Sequence, residues 1–379
     1  MEVINKRNAI DASNEVYMGR GSSFGNPFPM RLYRNDRDFV VEAHKLLFLN
    51  RLANSSVIPK LIWDLPEDSK LVCYCHPESC HADIYKEFWD LKKEGFSNFK
   101  KARKEFLARH NYTFLPQREG IDHINIYSKS RTELGRLTSN FTHSPFVHPE
   151  LGDFASMEGF WFYVGTGFKH EELRKLHGYE AKKLGGSLEK VFIPDFEDWV
   201  YSGLEAKVEC NDRLRELLSK NHLPFRHYYS YGKDDDFKCV NEGNGFLEKS
   251  FQKISLKYGD SYSLLIAGSR NFSDIREVVK QICASSIRIK EIVEGGAKGV
   301  DMIAAYYAAI NHYPLKTFLV SKEEWEKSRG AGMKRNVEMG NYADKGMVFI
   351  LNGSKGSTHM AAHLEKLNKL IYKGSYENT

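Results

Sequence analysis

Residues 262–270 read YSLLIAGSR, and this stretch decides how the C-terminal third of the chain folds. Its apolar run is short and ends directly in a glycine loop, which is typical of a strand buried on both faces of a parallel sheet. A helical pattern over residues 273–284 follows, and then a second strand pattern at 291–294. The alternation of strand, loop and helix predicts an α/β domain with a parallel sheet.

The same alternation continues to the end of the domain, for which we predict the bounds 260–372. Strand patterns at 316–320 and 346–351 flank a helical pattern at 333–342, and a last helix follows the second strand. Three strands end in loops that contain glycine. Because the carboxyl ends of parallel strands meet at one edge, bare amides and helix N-termini would converge there on a phosphate group. The pattern therefore predicts a Rossmann-like nucleotide-binding domain.

The order of the loop motifs resembles the SLOG superfamily of Rossmann-like nucleotide-binding proteins. The motifs are GSR at 268–270, GGAKGVD at 295–301, RNVEM at 335–339 and GSKGST at 353–358, with Trp325 between the second and the third. The hydrolases of that superfamily carry a glutamate after the last Gly-Thr, whereas His359 follows here, so the resemblance implies binding rather than hydrolysis. The nucleotide-binding residues that it implies are Gly268, Ser269, Arg270, Gly295, Gly296, Gly299, Asp301, Arg335, Asn336, Gly353, Gly356, Ser357 and Thr358.

Side-chain chemistry supports two kinds of residue in this set, the hydroxyl residues Ser269, Ser357 and Thr358 and the arginines. Serine and threonine hydroxyls would add donors to the amide cradle, and Arg270 or Arg335 would offer a forked cation to phosphate. The alternative for Arg335 is a cap or an ion pair within its own helix.

The middle region, predicted as a helix-rich α+β domain over residues 119–255, contains one carboxylate among aromatic residues. Glu158 stands in SMEGFWF at 156–162, and a carboxylate in apolar surroundings is costly unless it is hydrogen-bonded or used in chemistry. The alternative is that Glu158 lies on the polar face of an amphipathic helix whose aromatic residues face inward.

Three motifs of this region resemble the NADAR family: SNF at 139–141, the Ser-x-Glu run with its aromatic residues, and EAKKLG at 180–185. The family is associated with ADP-ribose chemistry and with cleavage of N-glycosidic bonds. The resemblance implies that Glu158 is catalytic, and the departure of a base from ribose develops oxocarbenium character that a carboxylate stabilises. The implied ligand-binding residues are Asn140, Phe141, Trp161 and Lys182. The family's Trp-Gly-Asp segment is matched only by YGKDDD at 231–236, which lacks the tryptophan.

The N-terminal part, predicted as a small α/β domain over residues 1–91, combines two unusual segments. A glycine-rich loop with GR and GNPF spans residues 16–29, and LVCYCHPESCHAD follows at 71–83. The pairing resembles an uncharacterised small domain of bacteria and phages.

The sulfur-rich segment supplies four groups that could bind a metal: Cys73, Cys75, Cys80 and His81. Three thiolates and an imidazole complete a zinc tetrahedron. Adjacent Cys80 and His81, however, lack the usual knuckle spacing, which favours structural thiols, and a reactive Cys80 at a helix N-terminus is a third alternative. We therefore predict no metal, less than one zinc per chain on elemental analysis, and no cofactor.

The composition indicates which partners and which cellular compartment to expect. The 379 residues carry 55 basic and 50 acidic side chains, which gives no electrostatic signature of a dedicated DNA-binding protein. The basic stretch at 92–109 is predicted as an exposed linker helix. The six cysteines lack a disulfide-like spacing, which predicts a reducing compartment. We also find no signal peptide and no apolar run of about 18 residues, which predicts a protein without a membrane segment. We expect the cytoplasm, or the host cytoplasm if a phage encodes the chain.

These features predict a nucleotide-processing protein that hydrolyses an N-glycosidic bond of an ADP-ribose-like or modified nucleotide and carries a second nucleotide-binding domain. The alternative is a sensor or sponge in which no domain turns over its ligand. The expected partner is a small nucleotide derivative, with nucleic acid bound only as an ADP-ribosylated or modified substrate, and homo-oligomerisation is left open. The surroundings of Glu158 discriminate between these functions.

Overall fold

The structure is a computed structural model, and it describes residues 1–10, 12–19, 21–28, 30, 37–54, 57–110, 118–231, 238–241, 245–328 and 330–377. Its fold class is the predicted one. A five-stranded parallel sheet lies at the C-terminus, a small parallel sheet lies at the N-terminus, and a helix-rich region stands between them. Among the helices in the described ranges, none is both long and apolar enough to cross a membrane.

The N-terminal region, as far as the structure describes it, is a three-stranded parallel sheet with four α-helices. The strands pair in the order β1–β3–β2, so the strand that ends in Cys73 is the central one. The elements are β1 (Glu2–Asn5), β2 (Glu15–Tyr17), α1 (Arg37–Asn54), α2 (Val57–Asp64), β3 (Lys70–Cys73), α3 (Asp83–Asp90) and α4 (Phe99–Arg109).

Helix α4 belongs to the core of this region. The prediction of a helix in the basic stretch is confirmed, but its description as an exposed linker is wrong, because Ala102 and Phe106 are fully buried. The Phe106 ring packs edge-on against Phe88 at 5.2 Å and Phe48 at 6.3 Å. Ala102 and Phe106 are four residues apart and lie on the same face of the helix. The many lysines and arginines around them made the whole segment look exposed in the sequence.

The middle region surrounds a core built on one apolar helix, α6, from which Met157, Phe160, Tyr163 and Val164 are buried. Helices α8 (Phe196–Glu209) and α9 (Asp212–Lys220) are separate, because Asn211 caps the second by accepting from the Leu214 amide. The elements are β4 (Ile124–Asn125), α5 (Glu133–Thr138), β5 (Phe146–His148), β6 (Gly152–Phe154), α6 (Met157–Gly165), α7 (Gly178–Ser187), α8 (Phe196–Glu209), α9 (Asp212–Lys220), β7 (Phe225–Arg226), β8 (Tyr228–Tyr231), β9 (Lys238–Asn241) and α10 (Phe246–Ser255).

The C-terminal region is a doubly wound sheet with all strands parallel in the order β12–β11–β10–β13–β14. Helices α11 and α12 pack on one face, and α14 and α15 pack on the other. The elements are β10 (Tyr262–Gly268), α11 (Ile275–Ala284), β11 (Ile289–Glu294), α12 (Val300–Ile310), β12 (Leu315–Thr317), α13 (Lys322–Lys327), α14 (Ala331–Tyr342), β13 (Lys345–Leu351), α15 (Lys355–Lys366) and β14 (Leu370–Tyr376). The sequence predicted this order of strands and helices but missed α13 and the edge strand β14.

The N-terminal and middle regions both pack on the C-terminal one. Tyr306 and Ile310 of α12 are part of the N-terminal core, so α12 is buried between the sheet and that core. On the other side, Arg288 donates hydrogen bonds to the carbonyls of Leu218 at 2.9 Å and Asn221 at 3.1 Å in the middle region.

Candidate functional site

A cavity of about 550 Å³ lies at the carboxyl ends of β10 and β13. The strand order reverses between these two strands, and this switch point is where doubly wound sheets bind their ligands. The first turns of α12, α14 and α15 border the cavity through Asp301, Gly332 and Gly356. Three helix N-termini with free amides make this C-terminal cavity suited to an anion such as phosphate.

Eight of the residues predicted for nucleotide binding line the C-terminal cavity: Gly268, Ser269, Arg270, Asp301, Arg335, Asn336, Gly356 and Ser357. Lys355, in the first turn of α15, also lines it and was missed, because a lysine in a glycine-rich loop carries no signal of its own. The structure places Gly353 and Thr358 in a separate cavity beside β14, where the Thr358 hydroxyl donates to the Ser354 carbonyl at 3.0 Å.

Gly295, Gly296 and Gly299 belong to the loop between β11 and α12, which reaches the cavity through Ala297. Gly299 has a φ of 76°, and a Cβ there would lie 2.3 Å from the Ser269 carbonyl oxygen. Only glycine permits both the conformation and the close approach of the two loops. These glycines therefore shape the wall of the cavity rather than its lining.

The polar side chains of the cavity are partly committed to the protein itself. The Ser269 hydroxyl accepts from the Leu351 amide at 2.8 Å and lies 3.3 Å from the Ser357 hydroxyl. Arg335 donates to the Gly295 carbonyl and, at 3.1 Å, to the Asn336 side-chain oxygen. Arg335 thus holds the cavity wall together, and Arg270 and Lys355 are the cations best placed to meet a ligand.

Two buried acids lie at or next to the cavity, since Asp301 lines it and Glu294 lies near Asp301. Glu294 is fully buried, and burial together with the nearby Asp301 carboxylate raises the pKa of Glu294 to about 8. Burial also raises the pKa of Asp301, although the Arg335 guanidinium opposes that shift. Both shifts favour the uncharged acids, which makes the cavity less negative than its sequence suggests.

Glu158 lies in the first turn of α6, where the sequence around it fixes its place. The Ser156 hydroxyl accepts from the Gly159 amide at 3.1 Å and donates to the Leu176 carbonyl at 2.8 Å, which caps the helix. A Cβ on Gly159 would lie 2.2 Å from the Leu173 carbonyl oxygen, so the glycine lets α6 approach that segment. Glu158 is half-buried, and burial raises its pKa to about 7.

Three of the predicted ligand-binding residues gather near Glu158, and we call Glu158, Asn140, Phe141 and Lys182 the middle site. The Glu158 amide donates to the Asn140 carbonyl at 2.9 Å. Lys182 lies with its ammonium 5.5 Å from the centre of the Phe141 ring, and its charge opposes the rise in the Glu158 pKa. The Asn140 side-chain oxygen is buried and has no hydrogen-bond partner among the described residues.

Trp161 has a packing role as the structure places it. It lies one turn after Glu158 on α6, and its ring packs edge-on against Phe196 at 5.0 Å. The segment YGKDDD adds nothing here, because residues 232–237 lie outside the described residues.

Lys207 is a titratable residue of this region that the sequence did not reveal. It is fully buried in α8, its ammonium donates to the Ser139 carbonyl at 2.8 Å, and burial lowers its pKa to about 7. Lys207 and the Glu158 amide therefore bind consecutive carbonyls of the SNF segment. A lysine within a helical pattern is ordinarily read as exposed, so no sequence signal could have placed it inside.

In the N-terminal region, the ligand atoms of Cys73, Cys75, Cys80 and His81 all lie within 4.8 Å of one another. We call these four residues the cysteine cluster. Strand β3 ends at Cys73, and Cys80 and His81 lie in the turn before α3. The structure thus brings three thiols and one imidazole together, whereas their spacing in the sequence had favoured structural thiols over a zinc site.

One family model matches the chain: residues 2–91 match a domain of unknown function, DUF4326. No curated protein matches. Among solved structures, the NMR structure of the E. coli protein YbiA matches with a TM-score of 0.30 and 19% sequence identity, covering 36% of this chain and 84% of that chain. A likeness at that TM-score assigns neither fold nor activity. The comparisons therefore relate the first quarter of the chain to a family of unknown function.

Proposed function

We propose that the chain processes a nucleotide derivative: the middle site hydrolyses an N-glycosidic bond of an ADP-ribose-like or modified nucleotide, and the C-terminal cavity binds a phosphate-bearing nucleotide. The observation that carries the proposal is the half-buried Glu158 carboxyl, whose pKa burial raises to about 7. A group that titrates near the working pH is suited to acid–base chemistry. The NADAR-like motifs support the same assignment, because Glu158 is the residue that matches the family's active-site glutamate.

The reaction can be assigned to named groups. The bond between ribose C1′ and the base nitrogen breaks, and its electron pair leaves with the base. The Glu158 carboxylate stabilises the positive charge that develops on the sugar and accepts a proton from the water whose oxygen bonds to C1′. That proton then passes to the departing base, which leaves Glu158 ionised again. The Lys182 ammonium would neutralise phosphate, and the Phe141 ring beside it offers a face for a base or ribose.

The pH dependence of the reaction tests this role. Because Glu158 must be ionised, kcat/KM is expected to rise with pH through a midpoint near its pKa of about 7. The measurement is chromatographic release of free base from a panel of ADP-ribose adducts and modified nucleoside monophosphates, between about pH 5 and 9. A value of kcat/KM that instead falls as the pH rises through 7 would mean that Glu158 acts in its protonated form, as a general acid. No release from any compound would favour a binding protein.

A sensor or sponge is the second candidate, and the C-terminal cavity with its three helix N-termini favours it. A ligand that binds only the folded chain stabilises it by RT ln(1 + [L]/Kd), about 2.7 kcal/mol at one hundred times Kd. We expect ADP-ribose or a nucleoside monophosphate to raise the melting temperature, and Lys355→Ala to remove most of that rise.

Lys366→Ala is the matched control, since Lys366 is exposed at the opposite end of α15. It should leave the rise unchanged. Lys355 is a sharper probe than Arg335, whose removal would disturb the cavity wall through its bond to the Gly295 carbonyl. Equal shifts in both lysine variants would place the ligand elsewhere.

A further inference from the structure

The cysteine cluster has the dimensions of a four-coordinate metal site. All three sulfurs belong to free cysteines, and the four candidate ligand atoms lie within 4.8 Å of one another. A zinc tetrahedron with Zn–S near 2.3 Å and Zn–N near 2.0 Å has ligand atoms about 3.5–3.8 Å apart. The Sγ atom of Cys73 and the Nδ1 atom of His81 are already 3.8 Å apart. A small inward movement of the side chains would complete the tetrahedron.

The ring of His81 is oriented as a metal ligand requires. Its Nε2 atom lies 2.8 Å from the Met18 carbonyl oxygen, which can only accept a hydrogen bond. Nε2 therefore carries a ring hydrogen, and Nδ1 faces the Cys73 sulfur, where its lone pair would be available to a metal ion. A ligand histidine whose second nitrogen donates to a backbone carbonyl is the usual outer-shell arrangement of zinc sites. The Ala82 amide also donates to the Cys80 sulfur at 3.4 Å, a hydrogen bond that a metal-bound thiolate would accept.

We propose that Cys73, Cys75, Cys80 and His81 bind one zinc ion. Thiolates with one imidazole in a tetrahedral arrangement select zinc over hard cations, which prefer oxygen ligands. Four protein ligands fill the coordination sphere, and three of them are buried, so the ion has a structural role.

The zinc ion would join three parts of the N-terminal region. It would connect the end of β3 to the turn before α3, and the His81 ring would extend that connection to Met18, where the glycine-rich loop begins. The side chain of Tyr85 also contacts this loop, because its hydroxyl donates to the Phe24 carbonyl at 2.9 Å. Zinc would therefore hold Met18, at the start of this loop, through the His81 ring.

Elemental analysis of the purified full chain, in a reducing buffer without chelator, tests the proposal. We expect about one zinc per chain in the parent, background zinc in Cys80→Ser, and full zinc in the control Cys210→Ser, because Cys210 is exposed and remote in sequence. His81→Cys should keep the zinc, since four thiolates also bind it, whereas His81→Ala should lose it.

Measurements on the parent chain keep the test independent of how the variants fold. Chelation under reducing conditions should lower the melting temperature, and added zinc chloride should restore it. Cobalt in place of zinc should give the absorption of a tetrahedral thiolate site. Parent protein that takes up no zinc from zinc chloride, or that holds a disulfide within the cysteine cluster, would overturn the proposal, as would full zinc in Cys80→Ser.

Discussion

Glu158→Gln is expected to lower the release of base from an N-glycosidic substrate by about a hundredfold or more, the scale of a lost acid–base group. Glutamine keeps the size and hydrogen-bonding reach of the side chain but can neither stabilise a cationic sugar nor accept a proton from water. The measurement is kcat/KM for the best compound of the panel at pH 8, where the parent carboxylate is mostly ionised.

The stability of the same variant separates catalysis from packing. Burial raises the pKa of Glu158 from 4.5 to about 7, so the folded state holds a proton across that window and the ionised carboxylate costs stability above it. Glu158→Gln should therefore unfold at an equal or higher temperature at pH 8. Glu180→Gln is the matched control, since Glu180 lies exposed in the first turn of α7. Unchanged turnover in Glu158→Gln would refute the catalytic role.

Lys207→Met is expected to stabilise the protein at pH 7 and to remove part of its pH dependence. Burial lowers the pKa of Lys207 from 10.5 to about 7. One pKa unit equals about 1.4 kcal/mol, so the shift costs folding on the order of 4 kcal/mol at pH 7. Between about pH 7 and pH 10 the Lys207 amine is protonated in the unfolded chain but not in the folded chain. The cost to stability therefore falls as the pH rises through this range.

Denaturant unfolding at pH 7 and pH 9.5 measures both effects. The free energy of unfolding of the parent should gain more between the two pH values than that of Lys207→Met, which has no titrating amine. Lys183→Met, on the exposed side of α7, should behave as the parent does. A Lys207→Met variant that is less stable than the parent at pH 7, with the same pH dependence, would mean that the bond to the Ser139 carbonyl outweighs the cost of burial.

The sequence predicted most of the C-terminal fold because local signals there agree. The run YSLLIAG must be buried, and the glycine loops must follow strands, so the order of elements and the edge that forms the C-terminal cavity could both be inferred. The strand β14 was missed because LIYKGSY alternates only loosely and follows a helix without a strong break. A strand at the edge of a sheet is less constrained in sequence than one in the middle.

The candidate sites were less predictable, since they depend on contacts between distant segments. The burial of Lys207 is set by how α8 packs against the SNF segment, 68 residues earlier. The approach of the four residues of the cysteine cluster could not be read from their spacing for a similar reason. Adjacent side chains point apart in a strand, but Cys80 and His81 lie in a turn, where both reach the same point, and the Met18 carbonyl that orients His81 is 63 residues away.

Helix α12 begins at the C-terminal cavity and ends in the core of the N-terminal region. Asp301 in its first turn lines the C-terminal cavity, whereas Tyr306 and Ile310 near its end belong to the N-terminal core. A substitution along this helix must therefore satisfy two packing environments at once. Exchange of either region for a homologous one would therefore leave Tyr306 and Ile310 without matching contacts unless the partner surface changed with it.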